Sequence, residues 1–396
     1  MQYVTEVDPK STPLVRSDPK LRGTRTKYVI THNPSYAHPG EEIYINLNVL
    51  GSSNPVDPNS IALRFTMSRT DQGSLVFNNL GSNLVQRLIV AIGGETIYDN
   101  SWENLLKTYS DLWLSQRDRT ALTEFGICDE LVRNPNDKTN KSAKKLADIF
   151  YKQKISIGKV IADQGMLFPS CMRENLSFTL VLADPKHILD KGTYMLNNLE
   201  IEYDVVDSSG LRELARAKYI EGKLLPFKST SWLKQSNWSK DDTLINEVIT
   251  STKKSLNQIV MLFTKKNQRK NSEEFVFPCI SKVNITVKGI PGSVYHGGMR
   301  TVDLLTEARK TFAPGQMKPV DFFCGDMFAL CVDLRSCFNN NEYANGRNMY
   351  GDQSSVVLEI QRSESLGELE DLKCYSYVNY DCILKLNCDG MMSVIV

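Results

Sequence analysis

One order of elements occurs twice in this chain: an alternating hairpin, a glycine turn and an amphipathic helix. In the first copy, Arg87 to Ile92 is a short apolar run rich in β-branched residues. Gly93-Gly94 supplies the positive φ of a tight turn, and Glu95 to Tyr98 returns as a second strand. Asn100 is placed as a helix N-cap, with Glu103 at capping-box spacing. Trp102, Leu105, Leu106, Tyr109, Leu112 and Trp113 then fall on one helical face. In the second copy, Val283, Ile285 and Val287 alternate, and Gly289, Pro291 and Gly292 make the turn. A helix starts at Thr301, with Leu304, Leu305, Ala308 and Phe312 on one face and Pro314-Gly315 at its end. The offset is about 196–199 residues, read from Arg87 to Val283 and from Trp102 to Thr301. The residues differ but the order is kept, so the chain reads as two similar β-domains, each with a helix inserted late in its sheet.

The rest of the chain supports that plan. Period-two alternation marks half-buried strands at Ile43–Val49, Ile61–Met67, Leu176–Leu182 and Leu199–Val205. Leu224–Leu233, Leu244–Thr250, Ile259–Phe263, Val356–Ile360, Tyr375–Tyr377 and Cys382–Asn387 are strand-like in the second half. Glu200, Glu202 and Asp204 lie along the polar side of one strand, which must face solvent or be paired; an exposed sheet surface is the plainer reading. Many short strands separated by turn clusters indicate sandwiches, and the fold class is mainly β, two jelly rolls in tandem with short inserted helices. The expected layout is an extended arm at 1–27, a first jelly roll at 28–206, a linker helix at 207–222 and a second jelly roll at 223–396. Residues 115–160 read as a long polar excursion with one short helix near Lys144 to Phe150.

Composition excludes several function classes. With 47 Lys+Arg against 46 Asp+Glu, the formal charge of +1 argues against a surface built throughout for nucleic acid, and no sequence-specific nucleic-acid binding is expected. No apolar run reaches the ~18–20 residues of a membrane span. No apolar leader precedes the 9 Cys, so reduced thiols are expected, serving as small buried hydrophobes. The four His form no H-E-x-x-H pair, and no Cys pair has zinc-site spacing. There is no Walker-type phosphate loop and no G-x-S-x-G. HGGMR at His296–Arg300 is read as a glycine turn entering a helix rather than an anion site. The lysines at 144, 145, 152 and 154, and those at 265, 266 and 270 with Arg269, lack interleaved aromatics and read as loop tips. No catalytic residue, metal or cofactor is expected. The arm carries Lys10, Arg16, Lys20, Arg22 and Arg25 among prolines and has no apolar periodicity.

NNLGSNLVQRLIVAIGGETIYDN at 78–100, the following KTYSDLWL, and the upstream YVITHNPSYAHPGEEIYINLNVL resemble the major capsid protein of Polinton/Maverick elements and adintoviruses. The resemblance is clearest from Tyr28 to Arg133. It implies a double jelly roll that trimerises into pseudo-hexagonal capsomers of an icosahedral double-stranded DNA virus shell. It further implies a virion protein assembled in the host nucleus or cytoplasm, partnered by itself and by penton or minor capsid proteins. On that reading the helices near 102–114 and 302–312 pack under a sandwich or against a neighbour, and the basic arm ties capsomers together. The alternatives are a two-jelly-roll glycan-processing hydrolase, a lectin-like binding protein, or a minor capsid protein of the same virus type.

Overall fold

The computed structural model describes residues 24–47, 56–71, 74, 76–122, 152–156, 175–210, 224–267, 271–292, 294–312, 317–336, 346–351, 354–386 and 392–395. In the first half the strands are β1 (Thr24–Thr31), β2 (Tyr36–Ala37), β3 (Glu42–Leu47), β4 (Val56–Arg69), β5 (Val85–Ile92), β6 (Glu95–Ser101), β7 (Lys152–Ser156), β8 (Leu176–Leu182) and β9 (Tyr194–Asp207). In the second they are β10 (Leu224–Trp238), β11 (Leu244–Thr250), β12 (Leu256–Lys265), β13 (Ile280–Val287), β14 (Ile290–Pro291), β15 (Met299–Arg300), β16 (Ala329–Asp333), β17 (Ser355–Arg362), β18 (Leu372–Leu386) and β19 (Met392–Ile395). The helices are α1 (Leu80–Asn83), α2 (Glu103–Asp111), α3 (Gln116–Ala121), α4 (Thr301–Thr311) and α5 (Pro319–Cys324).

Each half is built from two antiparallel sheets with the same strand order. The first half has β1-β9-β4-β7 and β3-β8-β5-β6; the second has β10-β18-β12-β16 and β11-β17-β13-β14. Strands distant in sequence are therefore neighbours in space, which is the Greek-key connectivity of a jelly roll. The fold is a double jelly roll, mainly β, with short inserted helices. Equivalence extends to side chains: Val85, Leu88, Val90 and Ile92 of β5 are buried, as are Ile280, Val283, Ile285 and Val287 at the same positions of β13. Gly93 and Gly94 adopt φ of 59° and 87°, the paired positive values of a two-residue hairpin turn. The buried apolar residues form one continuous cluster through both halves.

Several expectations need correction. Asn100 ends inside β6 rather than capping a helix; its side-chain amide donates to the Glu103 carboxylate at 2.5 Å. Trp102 occupies the N-cap position. Thr24 to Lys27, read as part of the arm, begin β1 and pair with β9, so Arg25 belongs to the sheet. Lys152 and Lys154 lie in β7, which pairs with β4, and not in a loop. Lys265 ends β12 and pairs with Glu370 at 2.9 Å. Tyr375 to Leu386 is one strand rather than two, and α3 and α5 are additional short helices. Beyond Gly210 the expected linker helix at 207–222 lies outside the described residues, as does the segment Lys144 to Phe150.

The acidic stripe on β9 is paired, with Glu200 still partly exposed. Arg25 Nε stands 3.0 Å from Asp204, Lys27 Nζ 3.7 Å from Glu202, and Arg64 3.6 Å from Glu202 and 3.8 Å from Glu200. Glu202 and Asp204 are buried beneath these bases, which solves the cost of placing carboxylates on a covered sheet. Of the described thiols, Cys279, Cys331, Cys374 and Cys382 are buried, whereas Cys324 is exposed. Burial pushes the Cys382 thiol up to about 12.

Glu247 on β11 joins the two sheets of the second half. It receives Lys234 Nζ at 2.5 Å, Ser236 Oγ at 2.5 Å and Trp238 Nε1 at 2.8 Å, all from β10. Burial alone would raise its carboxyl, but these donors outweigh burial and hold it below the ordinary carboxylate value. Its stabilising effect is therefore complete above pH ~4.5 and is lost as pH falls through the lowered folded-state value. Glu247→Gln should cost roughly 1.5–3 kcal/mol at pH 7. Urea midpoints for variant and parent should converge as pH is lowered toward 3; a gap of constant size would contradict the linkage.

Candidate functional site

A protein with two like halves has to hold them in one geometry, and the residues at that joint are the candidate site. Its centre is α2, which is buried on nearly every side. Leu105 and Tyr109 are fully buried, Leu112 and Trp113 nearly so, and Trp102 and Leu106 pack partly buried against the core. A helix facing one sheet would leave its polar side wet. Here Asn104, Thr108 and Asp111 are buried as well: Thr108 donates to Asn83 of α1 at 3.2 Å, and Asn79 and Ser82 donate to Asp111 at 2.7 and 2.9 Å, all within the first half.

The joint is aromatic at its middle. Tyr109 meets Phe275 edge to face at 5.1 Å between centroids and Phe312 at 5.0 Å. Trp113 stacks on Phe312 at 5.6 Å with planes 16° apart, and Phe322 stands 6.3 Å away. Rings in these offset and edge-on arrangements gain energy beyond their area burial. The Tyr109 hydroxyl donates to the Met327 carbonyl at 3.2 Å, and burial raises its pKa well above the ordinary value.

Trp102 aims its ring at the second sandwich. It is held at φ 56°, ψ 33°, a left-handed conformation that a bulky residue keeps only when its surroundings over-determine it. Its indole sits edge-on to Tyr375 at 5.2 Å and to His187 at 5.8 Å. Its carbonyl accepts from the Tyr377 hydroxyl at 2.9 Å. Just after the turn, Glu103 accepts from Tyr98 at 2.7 Å; burial still raises its carboxyl, over the opposing effect of the Tyr98 and Asn100 donors.

Polar groups at the rim are matched across the joint. Arg119 of α3 pairs with Glu273 at 2.8 Å, and Asn78 donates to the same Glu273 oxygen at 3.0 Å. Ser272 Oγ donates to the Asn78 carbonyl at 2.8 Å. Both members of the Arg119–Glu273 pair are buried, so losing either would strand a charge away from water.

Sequence periodicity therefore located the helix but not what covers it. Phe312 stood on the α4 face and Tyr375 and Tyr377 in a strand-like run; Phe275, Phe322 and Glu273 carried no local signal, because their role comes from contacts made across the chain. Arg25 is in β1, and Lys10, Arg16, Lys20 and Arg22 lie outside the described residues. His32 is a loop residue with both ring nitrogens near carbonyls, Pro34 at 2.8 Å and Tyr44 at 2.9 Å. HGGMR forms a turn, with Gly297 and Gly298 at φ 88° and 85°. Among the described residues no group of three or more His, Cys, Asp or Glu side chains could hold a metal ion, and no helix is long and apolar enough to cross a membrane.

No protein-family model matches the sequence, and no curated protein matches it. Solved structures do. PBCV-1 VP54, fitted into a reconstruction of the virophage Sputnik, matches with a TM-score of 0.61 at 10% identity, over 95% of this chain and 97% of that one. The mavirus major capsid protein gives 0.58 at 10% identity, over 94% and 90%. The Faustovirus major capsid protein gives 0.61 at 9% identity, over 97% and 94%. At such identities the likeness establishes a shared fold, spanning both halves and the joint between them.

Trp113→Ala should remove about 3–5 kcal/mol of stability, because the ring fills a space that Phe312 and Phe322 cannot close. Chemical denaturation should show this as a lowered midpoint. A variant that melts like the parent would mean that α2 does not hold the halves together.

Proposed function

We propose that this chain is a structural subunit of an icosahedral double-stranded DNA virus shell, a major capsid protein rather than an enzyme. The observation that carries this is the whole-length match in fold to the mavirus and Faustovirus major capsid proteins, both halves included. A double jelly roll offers two like blocks per chain. Three chains then place six similar blocks around a threefold axis, a near-hexagonal tile that packs side by side. The resemblance of the sequence phrases at 28–50 and 78–114 to Polinton/Maverick and adintovirus capsid proteins supports a capsid protein of that type. Its partners on this reading are further copies of itself and penton or minor capsid proteins, with assembly in the host nucleus or cytoplasm. The layout is two jelly rolls divided near residues 207–222, preceded by an arm that ends at residue 23, where β1 begins.

Purified protein should be a trimer by light scattering, with a permanent interface of more than ~2,000 Å². Micrographs should show threefold capsomers or closed shells; a monomer at every concentration would remove this reading.

The arm tests assembly separately. Lys10, Arg16, Lys20 and Arg22 belong to a proline-punctuated segment whose ordering cost is met when a neighbour supplies the surface. Deleting residues 1–23 should leave folded trimers with near-parental melting and lower the yield of closed shells, counted by electron microscopy. Deleting 1–27 removes half of β1 and should also destabilise the subunit. Equal shell yield from the 1–23 deletion would make the arm a plain tail.

A further inference from the structure

Many of the described basic side chains sit on acids. Arg25, Lys27 and Arg64 lie over the acids of β9, Arg87 pairs with Asp99 at 2.8 Å, and Lys191 pairs with Asp71 at 2.8 Å. Three lysines at one end of the second half do not. Lys253 and Lys254 stand in the turn between β11 and β12, and Lys288 in the turn between β13 and β14. Among the described residues no carboxylate pairs with any of the three; their ammonium groups meet aromatic rings and a carbonyl instead.

Both turns are locked to the segment before β17. Ser251 N–H donates to the Ser354 carbonyl, Met349 N–H to the Lys253 carbonyl and Lys288 N–H to the Ser355 carbonyl, each at 3.0 Å. Leu256 and Arg347 exchange two backbone bonds of 2.8 Å. Three segments far apart in the sequence thus present one firm surface, and no local run of lysines and aromatics announces it. A carboxylate at this end, Asp381, is taken up by Ser255 Oγ at 2.6 Å and Asn257 Nδ2 at 2.7 Å.

Tyr350 links two of the lysines. Its carbonyl accepts from Lys288 Nζ at 3.2 Å, and its ring centre lies 5.8 Å from Lys254 Nζ. Lys253 Nζ stands 4.1 Å from the centre of the Tyr380 ring, partly buried, and burial pulls its pKa down. A cation held partly away from water without a counter-charge is stabilised by an anion brought to it. Apolar area at this end is small: Tyr350 and Ile290 are 65% and 63% exposed, one from each side of the surface. Fixed positive charge with so little apolar area suits a regular polyanion better than a bilayer, whose peripheral partners bury a whole apolar face.

We propose that this end of the second half binds the phosphate backbone of double-stranded DNA without reading its sequence, with Lys253, Lys254 and Lys288 supplying the phosphate contacts. Lysine serves here as a point charge, which holds a phosphate without demanding one geometry. The shell-subunit reading supplies the partner, the duplex that such a shell encloses; the surface itself rests on the three lysines that no acid neutralises.

A labelled DNA duplex of mixed sequence tests it, titrated with the full chain by fluorescence anisotropy over a series of salt concentrations. Lys254→Gln with Lys288→Gln removes two charges and leaves the partly buried Lys253 in place. Lys240→Gln with Lys266→Gln, before β11 and after β12 at the opposite end of the same half, removes as many and is the control. Thermal melting checks that both variants fold. The first pair should weaken duplex binding by about tenfold or more and lower the slope of log affinity against log salt by about two; the control should bind like the parent. Should the first pair melt early, Lys254→Gln alone is read instead, with a slope lower by about one. Equal losses in both pairs, or none in the first, overturn the proposal. A parent that ignores the duplex overturns it too, and if that parent floats with vesicles of phosphatidylserine and phosphatidylcholine, the lysines serve a membrane. Light scattering judges the shell-subunit reading apart: a monomer at every concentration whose duplex binding still falls with Lys254 and Lys288 keeps the surface and removes the shell.

Discussion

The structure depends on burying α2 on nearly every side. One face of that helix satisfies the first sandwich, but Tyr109 and Trp113 extend past it to Phe275, Phe312 and Phe322. The second half must therefore sit where those rings are covered, which fixes the angle between two domains that a flexible tether would leave free. Water excluded from the rings is excluded from nearby polar groups too. That is why Arg119, Glu273, Asn78 and Ser272 are matched across the joint rather than left to solvent.

The part of this visible in the sequence is the part set by local spacing. Alternation located β3, β4, β8 and β9, the glycine pair located the hairpin, and helical spacing picked out the buried residues of α2. Whatever depends on partners far along the chain was not visible. Asn100 looked like a cap because Glu103 lies three residues on, yet the strand continues through Ser101 and turns at Trp102. Glu202 and Asp204 looked solvated because Arg25, Lys27 and Arg64 are brought to them only by sheet pairing over more than a hundred residues. β7 was hidden in a polar stretch, as an edge strand with little apolar signal can be.

Four of the buried acids are handled alike. Glu202, Asp204, Glu247 and Glu307 are all covered, and each meets a lysine or arginine whose head remains partly accessible. A long base can lie over a sheet or helix and keep its charge near water while its partner stays beneath. The arrangement costs less than burying both charges, and it leaves basic surface where a purely apolar solution would leave exposed hydrophobic area.

The joint between the halves, by contrast, is built from apolar surface. Within the chain the two surfaces are tethered, so they meet at high effective concentration and are covered as the chain folds. An apolar joint through Trp102, Tyr375 and Tyr377 is then safe. Left uncovered, an apolar patch of that size would capture wrong partners. Covering it as the chain folds removes that hazard, so the joint can carry rings as closely set as Tyr109, Trp113, Phe275 and Phe312.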